Sequence, residues 1–390
     1  MAAAAAELRD EVAALREQQR VLAAQVASLA AAQAGGGGAA PSLLAAPRPL
    51  TGVAFLLVCL ALLAAPSLVS SSARERGADG PLLRDAPPAA ARRPSSCCAR
   101  SLNTTDVRAG SETSVASIFG SDTFAKWSAA AALASKNVNG DWKRGEGAYD
   151  GVRFMLEHVT RGHAERYLEH VRALGVADAD IQRLVALNDA RGGATLEDFA
   201  GVRAGVGAGA GAGAGGGAPP PPLRATGASL RYLYHALLIV NHAPEPAALD
   251  VVEVGGGYGG FALMLDAVLA WRGRALRSYR IYDLGGPRLL QMAYLEAVDA
   301  GRGVFCWGDS STSGNDVPAD CELSLLTSAY AISEFPDAVS DAYLKALAGR
   351  AAHAFFAWNS PRRSPFLPAG YKEWVEDPLT GDHNRLIIFR

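Results

Sequence analysis

A glycine-rich turn between a strand pattern and a helix pattern constrains the fold of this chain more than any other feature. Residues 249–254 are rich in β-branched side chains, which is typical of a buried strand, and residues 261–271 form an apolar helix pattern. Glycines and one tyrosine, Tyr258, fill residues 255–260 between them. Such a turn lets the backbone approach a ligand closely and directs helix N–H groups at it. The pattern predicts a binding loop for a nucleotide-type cofactor.

Strand and helix patterns alternate through the chain after residue 222. Further apolar runs are typical of strands and lie at residues 278–282, 303–307, 323–327, 353–357 and 385–389. The alternation predicts an α/β fold over residues 223–390, with a Rossmann-like, mostly parallel sheet and helices on both faces. In such sheets ligands bind at the carboxyl ends of the strands.

Polar side chains follow three of these predicted strands. Asp283 follows the second strand, Asp309 the third and Ser328 the fourth. A carboxylate at the tip of the second strand can accept hydrogen bonds from both hydroxyls of a ribose. Either aspartate could instead cap a strand end or a helix.

Two cofactor classes are compatible with the glycine loop itself. Gly255, Gly257 and Gly260 fit G-x-G-x-x-G, the pattern of nicotinamide-dinucleotide enzymes. Glu253 favours another interpretation, because it extends the loop to Glu-x-Gly-x-Gly-x-Gly, ending at Gly259. That longer pattern resembles the first motif of class I methyltransferases. The resemblance implies glycines that pass beneath the methionyl part of S-adenosyl-L-methionine and an acidic residue that helps to order the loop.

Together with neighbouring segments, the loop resembles the sugar O-methyltransferase family. The resemblance rests on residues 230–234, 252–260, 282–284, 328–334 and 379–384, and its most specific patterns are S-x-Y-x-I-S-E and T-G-x-x-N. It implies an S-adenosyl-L-methionine-dependent enzyme that transfers a methyl group to a sugar hydroxyl of a glycan or glycoconjugate. A nicotinamide-dependent oxidoreductase and a non-catalytic membrane-anchored scaffold are the alternatives.

The resemblance also implies roles for single residues. The expected cofactor-binding residues lie in the loop or at the strand ends: Glu253, Gly255, Gly257, Tyr258, Gly259, Asp283, Asp309 and Ser328. Asp309 is expected near the adenine amino group. Tyr258 either packs over the cofactor or braces the loop.

The acceptor side needs a base, because methyl transfer to a hydroxyl is an in-line displacement that releases a proton. His383 and Glu334 are the predicted catalytic residues, and His383 suits this role because histidine titrates near neutrality. Tyr330 and Asn384 are predicted to bind the acceptor, although a packed tyrosine and a turn-forming asparagine are equally compatible with the sequence.

The net charge and the acidic residues limit the other partners. A formal net charge of −2 gives no general attraction to nucleic acid, so no nucleic-acid partner is predicted. No metal site is predicted, although Asp309, Asp382 and His383 could supply ligands to a divalent ion.

The five cysteines show no metal-ligand spacing, so the sequence predicts no zinc site. Cys97 and Cys98 are adjacent and cannot readily pair with each other, which leaves a link to a second chain open to them. Cys306 and Cys321 lie in or beside apolar runs and are expected to be small core residues.

The N-terminal part carries a heptad repeat. Leu8, Leu15, Leu22 and Leu29 recur at every seventh residue. This spacing predicts a coiled coil over residues 1–34, which would allow a homodimer, and a solvated alanine-rich helix is the alternative.

An uncharged apolar run extends from Gly52 to Val69. Its length is near the lower limit for a bilayer-spanning helix, so it predicts a transmembrane signal anchor over residues 50–70 in the Golgi or another endomembrane. A buried helix or a processed targeting segment is the alternative. Arginines at positions 74, 76 and 84 favour a cytosolic C-terminal part, whereas the glycosylation pattern at Asn103 would matter only in a lumen.

Composition separates the remaining segments. Residues 71–115 are rich in proline, alanine, serine and arginine and are predicted to form a disordered stalk. Residues 116–203 have apolar residues at helical spacing and are predicted to form a small helical region. Residues 204–222, a Gly/Ala/Pro linker, are expected to separate that region from the methyltransferase domain at 223–390.

Overall fold

The computed structural model describes residues 96–98, 101, 122–154, 159–201, 221–243, 247–299 and 304–389. The predicted coiled coil, the signal anchor and most of the stalk and of the Gly/Ala/Pro linker lie outside these residues. Among the described residues no helix is long and apolar enough to cross a membrane. The membrane and homodimer predictions therefore stay predictions.

The fold is built around a seven-stranded sheet. The strands of the described residues are, in chain order, β1 (Glu197–Phe199), β2 (Leu223–Ala225), β3 (Ala248–Val254), β4 (Ala275–Tyr282), β5 (Phe305–Trp307), β6 (Leu325–Ala329), β7 (His353–Trp358), β8 (Lys372–Val375) and β9 (Arg385–Phe389). β1 and β2 pair with each other, and the other strands form the sheet in the order β5-β4-β3-β6-β7-β9-β8. Strand β9 runs antiparallel to both of its neighbours, while the other pairs are parallel. The predicted mostly parallel α/β sheet is confirmed.

The strand order differs from that of the dinucleotide-binding fold. With β3 counted as the first strand, the order here is 3-2-1-4-5-7-6, whereas dinucleotide-binding sheets have the order 3-2-1-4-5-6. The difference is the antiparallel β9, which lies between β7 and β8. Both arrangements share a switch point between the first and fourth strands, where a crevice opens outside the carboxyl ends.

Helices cover both faces of the sheet. In chain order they are α1 (Asp122–Ala134), α2 (Arg161–Ala173), α3 (Asp178–Asp189), α4 (Gly227–His242), α5 (Gly260–Trp271), α6 (Gly285–Asp299), α7 (Ala331–Glu334) and α8 (Asp337–Leu347). Successive side chains of a strand point to opposite faces, and Val251 and Val252 accordingly belong to two different apolar clusters. The first cluster includes α4, α5 and α6, and the second includes α8.

Edge strand β8 was not predicted from the sequence. Its residues are exposed or half-buried along the whole strand, so it lacks the continuous apolar run that marks a buried parallel strand. By contrast, Leu249 to Val254 of β3 are all buried. The apolar sequence pattern therefore predicted the buried strand β3 and did not predict the more exposed strand β8.

The helical region shares one core with the sheet. Tyr167 of α2 and Leu184 of α3 belong to the same apolar cluster as Val251 of β3. The Gly/Ala/Pro linker leaves after β1 and returns at β2, and these two strands pair antiparallel. The described strands on either side of the linker are thus held side by side.

Two disulfides tie a short N-terminal strap, Ser96–Cys98, to the sheet. Cys97 pairs with Cys321 and Cys98 pairs with Cys306, across 224 and 208 residues of sequence. The expectation that the two later cysteines are free core residues, and that the adjacent pair could link to a second chain, is therefore wrong. The neighbouring residues Cys97 and Cys98 face different parts of the fold, so each forms a disulfide with a different later cysteine.

Hydrogen bonds reinforce the strap. The buried guanidinium of Arg280 donates to the carbonyl of Cys97 at 3.1 Å, and the hydroxyl of Ser96 donates to the carbonyl of Asp320 at 3.1 Å. At the free edge of β5, the N–H of Trp307 donates to the hydroxyl of Ser101 at 3.0 Å. Ser101, which follows the strap, therefore satisfies one backbone N–H of an edge strand that would otherwise be open to pairing.

We expect the two disulfides to stabilise the fold in a non-additive way. Either one alone closes the long loop, so removing a single pair as Cys98→Ser with Cys306→Ser opens only the short ring between the bonds, at a cost of roughly 3 kcal/mol of unfolding free energy. Removing both pairs also opens the loop of about 200 residues and should cost roughly 8 kcal/mol in total. Urea unfolding of the wild type, both paired variants and the quadruple variant measures this difference. If the loss of unfolding free energy in the quadruple variant equals the sum of the losses in the two paired variants, the two bonds do not close one common loop.

Candidate functional site

The glycine loop begins directly after β3 and bends sharply. Gly255 (φ 78°) and Gly259 (φ 92°) adopt left-handed conformations that disfavour residues with a side chain. The N–H of Gly255 donates to the carbonyl of Tyr282 at 2.8 Å, which fixes the loop to the end of β4. A Cβ atom on Gly255 would lie 2.0 Å from the Cβ of Ala331, so the first turn of the loop has no room for a side chain.

Asp283 lies against the loop, as the sequence predicted for a shared site. Its carboxylate accepts hydrogen bonds from the N–H of Gly257 at 3.1 Å, from the N–H of Leu284 at 2.7 Å and from the amide of Gln291 at 2.7 Å. The same amide donates to the carbonyl of Gly257 at 2.9 Å. Burial raises the pKa of Asp283 to about 7, although these hydrogen bonds oppose the shift.

Glu253 lies beneath the loop and is buried. It accepts a hydrogen bond from the hydroxyl of Tyr279 at 3.0 Å. Burial raises its pKa to about 8, the hydrogen bond from Tyr279 opposes this, and the nearby charge of Asp283 adds to it. Two buried acids with strongly raised pKa values therefore flank one glycine loop, an arrangement that marks candidate functional sites.

The other strand-end residues serve the local backbone. The carboxylate of Asp309 accepts from the N–H and the hydroxyl of Ser311 at 2.9 and 2.8 Å, which caps the turn that follows β5. The buried hydroxyl of Ser328 donates to the carbonyl of Val254 at 2.6 Å and accepts from the N–H of Ile332 at 3.0 Å. Asp309 is half-buried at the predicted edge, whereas Ser328 is enclosed and joins β3 to α7.

Tyr258 points away from the loop into the helical region. Its hydroxyl accepts from the amide of Asn188 at 2.8 Å, and its ring meets those of Trp142 and Tyr294 edge-on, each at 5.3 Å. The ammonium of buried Lys143 lies 4.7 Å from the centre of the Tyr258 ring. This placement favours the bracing role over contact with a cofactor.

The predicted acceptor-binding residues meet at the same edge of the sheet. Tyr330 follows β6, and Asn384 precedes the antiparallel β9, so both stand at the carboxyl ends of the parallel strands. They are joined through Glu376, which follows β8: the hydroxyl of Tyr330 donates to one carboxylate oxygen, and the amide of Asn384 donates to the other at 3.0 Å. The adjacent Ala331 contacts Gly255, so this group lies beside the cofactor loop.

Glu376 accepts four hydrogen bonds. Besides Tyr330 and Asn384, the hydroxyl of Tyr167 donates to it at 2.9 Å and that of Thr380 at 2.8 Å. Burial alone would raise the pKa of Glu376, but these donors and the nearby imidazole of His235 outweigh it and hold the pKa well below the usual range. Glu376 is therefore a buried carboxylate that is ionised in the resting protein.

The two predicted base residues are exposed to solvent. One oxygen of Glu334 accepts a hydrogen bond from the amide of Asn359 at 2.6 Å. His383 lies in the turn before β9, close in sequence to Asn384. Within the described residues no group of three or more histidine, cysteine, aspartate or glutamate side chains is placed to hold a metal ion.

Sequence reasoning missed Glu376, Arg231 and His235. Glu376 directly follows strand β8, which the sequence pattern did not predict, so its position at a strand end could not be predicted either. Arg231 and His235 stand four residues apart on α4 and are both buried. Residues four positions apart lie on the same face of a helix. Two polar residues at this spacing in a mostly apolar helix pattern were the sequence signal that could have identified Arg231 and His235.

Comparisons with known proteins give similarity in fold without establishing a family. No family profile matches the chain, and no curated protein matches it. TrmN from Thermus thermophilus is 17% identical over 43% of this chain and 53% of its own, with a TM-score of 0.30. Magnesium protoporphyrin IX methyltransferase from Synechocystis, with bound S-adenosylmethionine, is 14% identical over 40% and 76%, with a TM-score of 0.29.

A S-adenosylmethionine-dependent methyltransferase from Clostridium acetobutylicum is 12% identical over 38% of this chain and 57% of its own, with a TM-score of 0.27. At these identities and scores the similarities carry no conclusion about activity. The function has to be inferred from the residues of this chain.

We expect Asp283 to make stability fall as pH rises. Its folded pKa of about 7 exceeds the usual value of 3.8, so between these values the folded state binds more protons than the unfolded state. One such group contributes a loss of about 1.4 kcal/mol per pH unit. Urea unfolding at pH 5, 6 and 7 gives the free energy of unfolding as a function of pH. We expect the slope of this free energy against pH to be less negative for Asp283→Asn than for the wild type, by about 1.4 kcal/mol per pH unit. Parallel slopes would contradict the raised pKa.

Proposed function

We propose that this chain binds S-adenosyl-L-methionine at the glycine loop and transfers its methyl group to a sugar hydroxyl of a glycan or glycoconjugate. The observation that carries the proposal is the assembly of Glu253, the left-handed glycines and Asp283 at the switch point of the sheet. Asp283 at the tip of β4 would accept hydrogen bonds from the ribose hydroxyls. The glycine backbone would lie beneath the methionyl part.

Two features favour this cofactor over a nicotinamide dinucleotide. The antiparallel β9 within the sheet departs from the dinucleotide-binding order. In addition, Glu253 adds a buried acid beneath the loop that the G-x-G-x-x-G pattern does not require. A non-catalytic scaffold is disfavoured because buried acids with raised pKa values destabilise a fold, and apolar residues would pack there at lower cost.

The acceptor side supports a hydroxyl substrate. Tyr330, Asn384 and Glu376 form a polar wall beside the loop, and the resemblance of residues 328–334 and 379–384 to sugar O-methyltransferases points to a carbohydrate. The bound cofactor would supply an electrophilic methyl group. The chain's own residues would orient the hydroxyl towards it, because alignment of nucleophile, methyl group and sulfur is the main requirement of this displacement.

We expect the full-length protein to bind S-adenosyl-L-methionine and S-adenosylhomocysteine but not NAD. Asp283→Ala should weaken binding at least tenfold, because loss of hydrogen bonds to a charged group costs about 1.5–3 kcal/mol. Asp198→Ala, which removes an exposed carboxylate of β1, is the matched control and should bind as the wild type does. Isothermal titration calorimetry measures the ligand affinities of the wild type, Asp283→Ala and Asp198→Ala.

The transferase step is tested with a labelled methyl donor and a panel of glycans and free sugars. Label in an acid-stable ether on a sugar oxygen supports the proposal, and the labelled position identifies the acceptor hydroxyl. Binding of NAD by the folded protein, or unchanged S-adenosylhomocysteine affinity in Asp283→Ala, would show that the cofactor assignment is wrong.

We also propose that the described domain lies in an oxidising compartment, on the lumenal side of a membrane crossed by the run from Gly52 to Val69. The two disulfides support this orientation, because such bonds persist in secretory compartments and are reduced in the cytosol. They outweigh the downstream arginines, which favour the opposite orientation. The pattern at Asn103 would then be available for glycosylation in a Golgi or other endomembrane location.

We expect only Cys59 to react when cells are lysed in denaturant with an alkylating agent. The other cysteines pair in the disulfides and should become reactive only after reduction. Mass spectrometry of the full-length protein counts the labels before and after reduction. The variant Cys59→Ser is the control and should carry no label before reduction. Five labels without reductant would contradict the lumenal orientation.

A further inference from the structure

A buried polar cluster lies beside the glycine loop and is separate from the residues assigned to the cofactor. It consists of Glu376, Tyr330 and Tyr167 with Arg231 and His235 of α4, and each of these side chains is at most 5% exposed. Burying polar and charged groups costs free energy that apolar packing would avoid. Such clusters in a core therefore suggest a chemical role.

The backbone at Tyr330 is held in an unfavourable conformation. Its φ is 71°, a left-handed value that costs a bulky residue about 1–3 kcal/mol. Three contacts hold it there: its N–H donates to the carbonyl of Ala357 at 2.8 Å, its ring lies 5.2 Å from the guanidinium of Arg231, and its hydroxyl donates to Glu376. Strained residues of this kind concentrate at functional sites.

We propose that Tyr330 is the catalytic residue that accepts the hydrogen bond of the acceptor hydroxyl, and that Glu376 is a positioning residue that receives the proton through Tyr330. The inference rests on the proposed methyl transfer and adds a proton path to it. Because the tyrosine proton is donated to Glu376, the phenolic oxygen can only accept a hydrogen bond from a ligand. The site would therefore select an acceptor with an O–H group.

The transfer balances without any further reactant. A bond forms between the acceptor oxygen and the methyl carbon while the bond from that carbon to the sulfonium sulfur breaks, and its electron pair stays on sulfur. The acceptor proton moves to the oxygen of Tyr330, and the proton of Tyr330 moves to Glu376. The products are a methyl ether, S-adenosylhomocysteine and a neutral Glu376 carboxyl, which later loses its proton to solvent.

Electrostatics favours this destination for the proton. Before transfer the site holds the positive sulfonium and the negative Glu376 carboxylate. Afterwards the thioether and the protonated carboxyl are both neutral, so the total charge of a buried site does not change. In a medium of low dielectric constant, an uncompensated charge would cost much more than it does in water.

The groups that face Glu376 keep it ionised before the reaction. They come from each element packed against it: Tyr167 from α2, Tyr234 and His235 from α4, Tyr330 after β6, and Thr380 and Asn384 before β9. The Nε2 atom of His235 lies 3.6 Å from the Glu376 oxygen, and neither ring nitrogen forms a hydrogen bond among the described residues. Burial lowers the pKa of His235, and the neighbouring Glu376 carboxylate opposes this shift.

The experiment measures kcat and KM of the full-length enzyme with the acceptor found in the glycan panel. Tyr330→Phe should lower kcat by about 100-fold or more, the usual contribution of a group in proton transfer, and should leave S-adenosylhomocysteine affinity unchanged. Glu376→Gln should lower kcat by about 10-fold or more. Tyr371→Phe is the matched control: it removes the hydroxyl of a half-buried tyrosine outside the cluster, and kcat should stay within about threefold.

The pH profile separates this path from an exposed histidine base. With Glu376 as the proton acceptor, kcat at saturating cofactor should be flat between pH 6 and 8, whereas a histidine base gives a rise through its titration near neutrality. His383→Gln should leave kcat within about threefold. A rising profile that His383→Gln abolishes would overturn the inference, as would a wild-type kcat in Tyr330→Phe or equal losses in Tyr330→Phe and Tyr371→Phe. No methyl transfer by the folded wild type would instead overturn the proposed function, and this inference with it.

Discussion

The close contact between Gly255 and Ala331 determines how the two halves of the site meet. A side chain at position 255 would overlap the Cβ of Ala331, which lies 2.0 Å from the position of such an added Cβ. The glycine therefore sets the separation between the cofactor loop after β3 and the strained Tyr330 after β6. Because Asp283 is tied to the loop and Glu376 to Tyr330, the positions of both acids depend on this contact.

The buried acids of the site fall into two chemical types. Glu253 accepts one hydrogen bond and Asp283 accepts three, but burial outweighs them and raises their pKa values to about 8 and 7. Glu376 accepts four hydrogen bonds and stays ionised. A raised pKa suits acids that meet hydroxyl donors and a cationic cofactor, because binding restores the charge interactions that burial removed. The low pKa keeps Glu376 ionised, and therefore able to accept these hydrogen bonds, at every physiological pH.

The sequence was sufficient to predict the elements whose signal is local. The β3 strand, the glycine loop and the position of Asp283 follow from burial patterns and turn chemistry within one short segment. Glu376 could not be found in this way, because β8 is an edge strand without an apolar run. The pairing of Cys97 with Cys321 depends on two segments that are distant along the chain, and local spacing contains no information about such a pairing. The direction of Tyr258 depends on a cage formed by Trp142, Lys143 and Tyr294.

The same cage connects the helical region to the glycine loop. The Gly/Ala/Pro linker suggests two separate domains, yet its ends pair as β1 and β2 and the helical region shares its core with the sheet. Tyr258 then extends from the cofactor loop to Asn188 at the end of α3. A loop with several glycines has much conformational entropy to lose on ordering. The tyrosine removes part of that freedom, so the helical region contributes to the order of the proposed cofactor site.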